Sequence, residues 1–312
     1  MKISLIHNED AGSAGSDEAL RHEMEAAGHE VLEVHVPAPG VGKLIDARAE
    51  LIVIAGGDGT VRRVATELVG HATPIALLPA GTANNISMSL GLDVSTEKLI
   101  AGWNGARRLQ LDLGVATGPW GERRFMESVG MGFVASGITV MQRDPPEAAV
   151  VEGAEAKIVA ALERFRLLLD AMVPQTCELS LDGVRENSDF LLVEALNVCA
   201  VGPRLLFSPE ADPTDGLFDV VTVSEHERSE LDRYLHARLT GRPARLDLTR
   251  RRARHIELNG WHSLHIDDEV HAVGTTASVS LRVEPAALTV LVPEGVEKVR
   301  SAWTPPGRHI EA

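Results

Sequence analysis

The sequence predicts an α/β plus β protein, with a parallel-sheet N-terminal domain flanked by helices and a mainly β, sandwich-like C-terminal domain. Three observations predict it. Apolar runs at residues 3–6, 31–36, 51–55 and 75–78 alternate with helical spacing up to about Asp112, the pattern of buried parallel strands. Beyond Asp112, short strand-like runs are separated by Gly, Pro and Asp turns, as at residues 177–181 followed by Asp182-Gly183. The length of 312 residues suits two domains.

Each element has its own signals. The first helix, residues 17–27, opens at the N-cap candidate Ser16 with Asp17 and Glu18 in its first turn, and Gly28 stands where a C-terminal glycine would end it. A second helix is read over residues 61–69. The change of pattern places the boundary near Asp112, giving a first domain over residues 1–112 and a second over 113–287. Two helices interrupt the second domain. Residues 154–172 carry Ile158, Leu162, Phe165, Leu169 and Met172 on one face, and residues 227–239 carry Leu231, Leu235 and Leu239; such stripes pack on a sheet. The continuous run Leu191-Leu192-Val193, with Leu196 and Val198, reads as a core strand or as the lining of an apolar slot, core first.

Composition excludes several function classes. Against 30 basic side chains stand 45 acidic ones, and the net charge of −15 repels nucleic-acid phosphates. Aromatic residues, at 4%, leave little for a base-stacking surface. Two cysteines, Cys177 and Cys199, cannot build a disulfide framework or a Cys-rich zinc module, which fits a reducing cytosol. The longest apolar stretch, residues 190–201, is interrupted by Glu194 and is too short to span a bilayer, and residues 1–6 are too short for a signal-peptide core. A cytoplasmic protein is the expectation.

The chemistry concentrates in glycine-bearing loops. Gly56-Gly57-Asp58-Gly59-Thr60 follows a buried-type strand and opens a helix, so backbone N–H groups and the positive end of a helix dipole face one point, which suits phosphate. Asp58 is out of place there unless it meets Mg²⁺, a positive group or a proton in transfer. A second loop, Pro79-Ala80-Gly81-Thr82-Ala83-Asn84-Asn85, follows the next strand, and a third, Asn8 to Ser13, follows the first. In open α/β sheets ligands sit outside such carboxyl ends, so the three loops predict a nucleotide site.

These residues resemble the diacylglycerol kinase catalytic-domain family, which includes bacterial lipid kinases and sphingosine kinases and is related in fold to NAD kinases. The resemblance rests on Gly56 to Thr60, Pro79 to Asn85, the segment Ala211-Asp212-Pro213-Thr214-Asp215-Gly216-Leu217-Phe218-Asp219, and Asp267-Asp268-Glu269, in order along nearly the whole chain. It implies a Rossmann-like N-terminal domain, a β-sandwich C-terminal domain, and a final segment, residues 288–312, packing back on the first domain. It also implies Mg²⁺-dependent transfer of the γ-phosphoryl of ATP to a lipid hydroxyl, diacylglycerol-like or sphingoid. Asp267 would be the catalytic base, with Asp58 second for that role. Asn8, Gly56, Gly57, Asp58, Gly59, Thr60, Gly81, Thr82, Asn84 and Glu269 would hold ATP, and Asp215 and Leu217 a metal. Three positions depart from the pattern: Arg62-Arg63 stand for an Asn-Glu pair, Asn85 for Asp, and Asp268 for Gly.

Other signals are weaker. Gly130-Met131-Gly132-Phe133-Val134-Ala135 fits a dinucleotide pattern but lacks the acidic residue about 20 positions on. Gly40-Val41-Gly42-Lys43 ends on Leu44 where a P-loop needs Ser or Thr. Arg242, Arg245, Arg250, Arg251, Arg252 and Arg254 form a cluster that reads as a solvated face or as a patch for anionic lipid headgroups, the latter allowing peripheral contact with a membrane. Alternatives to a lipid kinase are a kinase of a soluble acceptor such as NAD, or a non-catalytic nucleotide-binding regulator. No nucleic-acid partner is expected, and a homodimer is left open.

Overall fold

The structure is a computed structural model and describes residues 1–9, 15–144, 153–274 and 276–296. The N-terminal half runs β1 (Lys2–His7), α1 (Asp17–Ala26), β2 (Glu30–His35), β3 (Leu51–Gly56), α2 (Asp58–Glu67), β4 (Ile75–Pro79), α3 (Asn85–Ser89) and α4 (Thr96–Gly102). The strands are parallel in the order β2-β1-β3-β4, the Rossmann-like arrangement expected. All six residues of β3 are buried, which explains a continuous apolar run where a one-sided strand would alternate. Ser16 caps α1 by accepting from the Ala19 N–H at 3.2 Å, and Gly28 takes a left-handed φ of 84° just past its end.

The C-terminal half follows as β5 (Arg107–Gly118), β6 (Gly121–Phe125), β7 (Ser128–Gly132), α5 (Phe133–Arg143), α6 (Ala154–Ala171), β8 (Gln175–Leu181), β9 (Val184–Phe190), β10 (Leu192–Leu196) and β11 (Phe218–Val223). It continues through α7 (Arg228–Leu239), β12 (Arg250–Ala253), β13 (His255–Asn259), β14 (Ser263–Ile266), β15 (Glu269–Ala272) and β16 (Val279–Val292). An antiparallel sheet β12-β11-β10-β7-β14-β15 packs against the sheet containing β13, β8 and β16. Their shared core includes Phe125 stacked on Phe218 at 5.5 Å, with Leu179, Ile256 and Leu281. This is the β-sandwich expected. The other face of the antiparallel sheet is covered by α5, α6 and α7, where Phe133 meets Phe165 edge to face at 5.3 Å. The stripe Ile158, Leu162, Phe165 and Leu169 is buried there with Leu191, Leu192 and Leu196, and Val198 is buried as well.

Two long strands join the halves. β16 pairs with β5 along both, with an irregularity between Glu284 and Leu288, and its Val290 stands parallel to Ile75 of β4. Residues 297–312 lie outside the described residues. Asp112 pins the junction: Oδ1 accepts from the Ala286 N–H and Oδ2 from the Gly216 N–H, each at 2.8 Å. Two elements differ from the sequence reading. α2 begins at Asp58 instead of Val61, because the chain enters the helix straight from extended Gly57. α5 occupies the residues after the Gly130-Gly132 pair, whose glycines serve packing. A Cβ on Gly130 would lie 2.0 Å from Glu194, and one on Gly132 would lie 2.1 Å from the Leu191 carbonyl.

Candidate active site

Because β1, β3 and β4 are parallel neighbours, their carboxyl ends share one rim, and the loops that follow touch. Asn8 Nδ2 donates to Thr60 Oγ1 at 3.0 Å. A Cβ on Gly81 would lie 2.5 Å from the Gly57 Cα, so the two glycine turns approach as only glycine permits. Asn84 holds the second turn shut from a left-handed φ of 52°, accepting from the Gly81 N–H and donating to the Gly81 carbonyl, both at 2.9 Å. Asp58, in the first turn of α2, spans the gap: Oδ2 accepts from Asn85 N–H at 2.9 Å and Oδ1 from Ile86 N–H at 3.0 Å. Its carboxylate therefore caps α3, and burial raises its pKa.

The hairpin of β14 and β15 brings residues 267–269 from the second domain onto this rim. Asp267 turns inward with a left-handed φ of 51° and a side chain only 1% exposed. Its Oδ1 accepts from the Glu127 and Ser128 N–H groups at 2.8 and 3.2 Å, and Oδ2 from the Met126 N–H at 3.2 Å. Burial outweighs these bonds and the nearby Arg62, and pushes its pKa up to about 6. Behind it His265 donates from Nδ1 to the Asp267 carbonyl at 2.8 Å and pairs through Nε2 with Glu194 at 3.0 Å, both side chains fully buried.

Arg62 of α2 is the cation of this corner. Its guanidinium lies 3.6 Å from Asp267, 2.7 Å from Asp268 and 3.1 Å from Glu269. Glu269 is bound a second time, by Arg123 at 3.2 Å, and faces a polar cleft lined by Arg62, Arg123 and Arg124. Asp268 faces the other way. With Thr82, Ala83, Gly202 and Pro203 it lines a cavity of about 580 Å³, whose remaining walls are Ile138, Met141 and Gln142 of α5 and Lys157, Ile158, Ala161 and Phe165 of α6. The cavity is an apolar slot opening beside the glycine turns. It lies between helices, and the buried strand at Leu191 to Val193 takes no part in it.

Sequence reasoning missed Glu127, buried behind the turns, where Asn85 Nδ2 donates to it at 2.9 Å. Burial, followed by repulsion from Asp58 and Asp267, pushes its pKa well above the ordinary value for a glutamate. A lone acid between Phe125-Met126 and Ser128-Val129 was the available signal. Arg204, also missed, ties the second domain to the Thr82 loop by donating from Nε to the Ala83 carbonyl at 2.7 Å.

Asp215 and Leu217 lie apart, at the domain junction. Asp215 Oδ1 accepts from the Leu217 N–H at 3.0 Å, and its Oδ2 is in contact with Arg252. The Arg252 guanidinium therefore pairs with the carboxylate that the sequence reading assigned to a metal ion. The same contact thins the arginine cluster. Arg251 pairs with Glu186 at 2.6 Å, and Arg250 donates to the Phe207 and Leu246 carbonyls, whereas Arg242, Arg245 and Arg254 are exposed.

Two family models match the chain: the diacylglycerol kinase catalytic domain over residues 2–116, and the YegS C-terminal NAD kinase beta sandwich-like domain over residues 132–292. The chain belongs to this lipid kinase family. A Mycobacterium tuberculosis protein named "Diacylglycerol kinase" is 28% identical over 275 residues, covering 83% of this chain and 81% of the relative. A Pseudomonas putida protein named "Probable lipid kinase YegS-like" is 30% identical over 257 residues, covering 82% of this chain and 81% of the relative. A crystal structure described as a diacylglycerol kinase from Bacillus anthracis matches the fold with a TM-score of 0.70 at 19% identity, over 95% of this chain and 98% of that one. Among the described residues, no helix is long and apolar enough to cross a membrane.

Proposed function

We propose that this lipid kinase transfers the γ-phosphoryl group of ATP, entering as its Mg²⁺ complex, to a hydroxyl of a diacylglycerol-like or sphingoid lipid. The observation that carries the reading is the apolar slot of about 580 Å³ ending at the glycine turns, with Thr82 and Asp268 where the two meet. An acyl or alkyl chain fits such a lining, whereas a soluble dinucleotide would leave its polar groups unpaired there. The cradle suits ATP. The Asp58 and Gly59 N–H groups open α2 ahead of its first bonds, from Thr60 and Val61 to the Gly57 carbonyl, the glycines admit a phosphate to the backbone, and Arg62 supplies positive charge at the same corner. Phosphoryl transfer depends mainly on positioning and charge neutralisation, and the two-domain rim provides both.

Radiolabelled ATP incubated with the protein, a total lipid extract and NAD tests this. Label is expected in the organic phase in a hydroxylated lipid. Label appearing only in the NAD fraction would select the soluble-acceptor reading, and label in neither fraction, with ATP still raising the melting temperature, would select a nucleotide-binding regulator.

A further inference from the structure

Among the described residues one ion pair is fully buried on both sides, that of Glu194 on β10 with His265 on β14. The two strands are not neighbours. β7 runs between them, and its Gly130 is the register partner of both residues. Second-neighbour strands stand about 10 Å apart, so the two side chains meet only by crossing the middle strand. Glycine makes the crossing possible, since a Cβ on Gly130 would lie 2.0 Å from Glu194 Oε2. His265 Nε2 then stands 3.0 and 3.1 Å from the two carboxylate oxygens. The other ring nitrogen, Nδ1, donates to the Asp267 carbonyl at 2.8 Å. The Asp267 N–H in turn donates to the Ser128 carbonyl at 2.8 Å, so both backbone groups of this left-handed residue are tied.

We infer that Glu194 and His265 are positioning residues for phosphoryl transfer, a buried brace across Gly130 that fixes the Asp267 backbone and so aims the Asp267 carboxylate. Stability alone does not explain the brace. Burying an acid and an imidazole costs desolvation that their attraction only roughly returns, and apolar residues of like volume would serve a core as well. Direction is what the pair adds. Glu194 orients the ring, the ring presents Nδ1 to one carbonyl, and the carboxylate on that residue is held within the narrow tolerance that transfer to a bound hydroxyl demands. Gly130, the first glycine of the dinucleotide-like pattern, is thereby given a use that involves no cofactor. The inference rests on the lipid-kinase reading, with Asp267 as its base.

The test assays the full chain with radiolabelled ATP and a lipid extract, with Glu194→Gln in every variant so that no carboxylate is left buried without its ring. On that background His265→Asn keeps an amide N–H at the place of Nδ1, His265→Gln moves the amide to the place of Nε2, and His265→Leu has no donor. The expected result is a kcat at least about tenfold higher for Asn than for Gln or Leu, with KM for ATP and stabilisation by ATP alike in all three. A purely structural pair would lower the melting temperature and leave the three kcat values equal, which overturns the inference while the kinase reading stands. A fall in ATP stabilisation that matches the fall in kcat overturns it too. If the leucine variant does not fold, the comparison of the two amides decides, and failure of all three to fold assigns the pair to stability and overturns the inference. A wild-type protein that labels no lipid overturns both.

Discussion

Asp267, conspicuous in the sequence, also holds a turn together in space. The resemblance makes it the base, and in the structure its carboxylate gathers three buried N–H groups from the turn between β6 and β7. Removing it leaves those donors unpaired and puts alanine at a left-handed φ, so Asp267→Ala should cost about 3 kcal/mol in a denaturant melt. A cost within about 0.5 kcal/mol, typical of a surface change, would show that the carboxylate does not organise the turn. Gly81 makes a complementary prediction. A Cβ 2.5 Å from the Gly57 Cα must push the two turns apart, so Gly81→Ala should lose most of the melting-temperature rise that ATP produces. Full retention of that rise would separate the turns from nucleotide binding.

At the scale of elements, the parallel strands and α1 were legible because each carries a local signal, in the buried runs of β1 and β3 and in the Ser16 cap. The slot was not. It is made by Ile138 and Met141 of α5 facing Ile158, Ala161 and Phe165 of α6, and no local pattern says which apolar side chains leave a gap between helices. The Asp215 turn was legible as a turn, but Arg252 lies 37 positions away and its contact is long-range. With a guanidinium already beside Asp215, EDTA should leave the melting temperature of the nucleotide-free protein unchanged. A fall reversed by Mg²⁺ would restore a metal to the junction.

The whole molecule behaves as one unit because β5 and β16 run through both halves. Calorimetry should show a single transition, and Val290→Ala, at a fully buried position beside Ile75 and Leu109, should lower it by about 2 kcal/mol without splitting it. Stability should also depend on pH in an unusual sense. The pKa of Asp267 rises from 3.8 to about 6 on folding, and that of His265 rises above 6.5 through Glu194 and Asp267 despite burial. A raised folded pKa means the native state binds more protons, so stability present at low pH is lost as pH rises through these values. The melting temperature should therefore fall between about pH 4 and pH 6 through Asp267 and fall again above pH 6.5 through His265, where most proteins are flat or gain. A rise across that window would contradict the burial of these groups. The two domains themselves were readable from alternation and turn spacing, whereas the pairing of Arg62 with Asp268 emerged only when the sandwich closed on α2.

In the proposed function, the slot between α5 and α6 receives the lipid and the glycine turns receive ATP. Lipid labelling by Ala161→Phe, which puts a ring into the slot from α6, tests it most directly. Organic-phase label should fall at least about tenfold, a barrier change of about 1.4 kcal/mol, while ATP still raises the melting temperature as in wild type. Undiminished lipid labelling with the slot filled would contradict it.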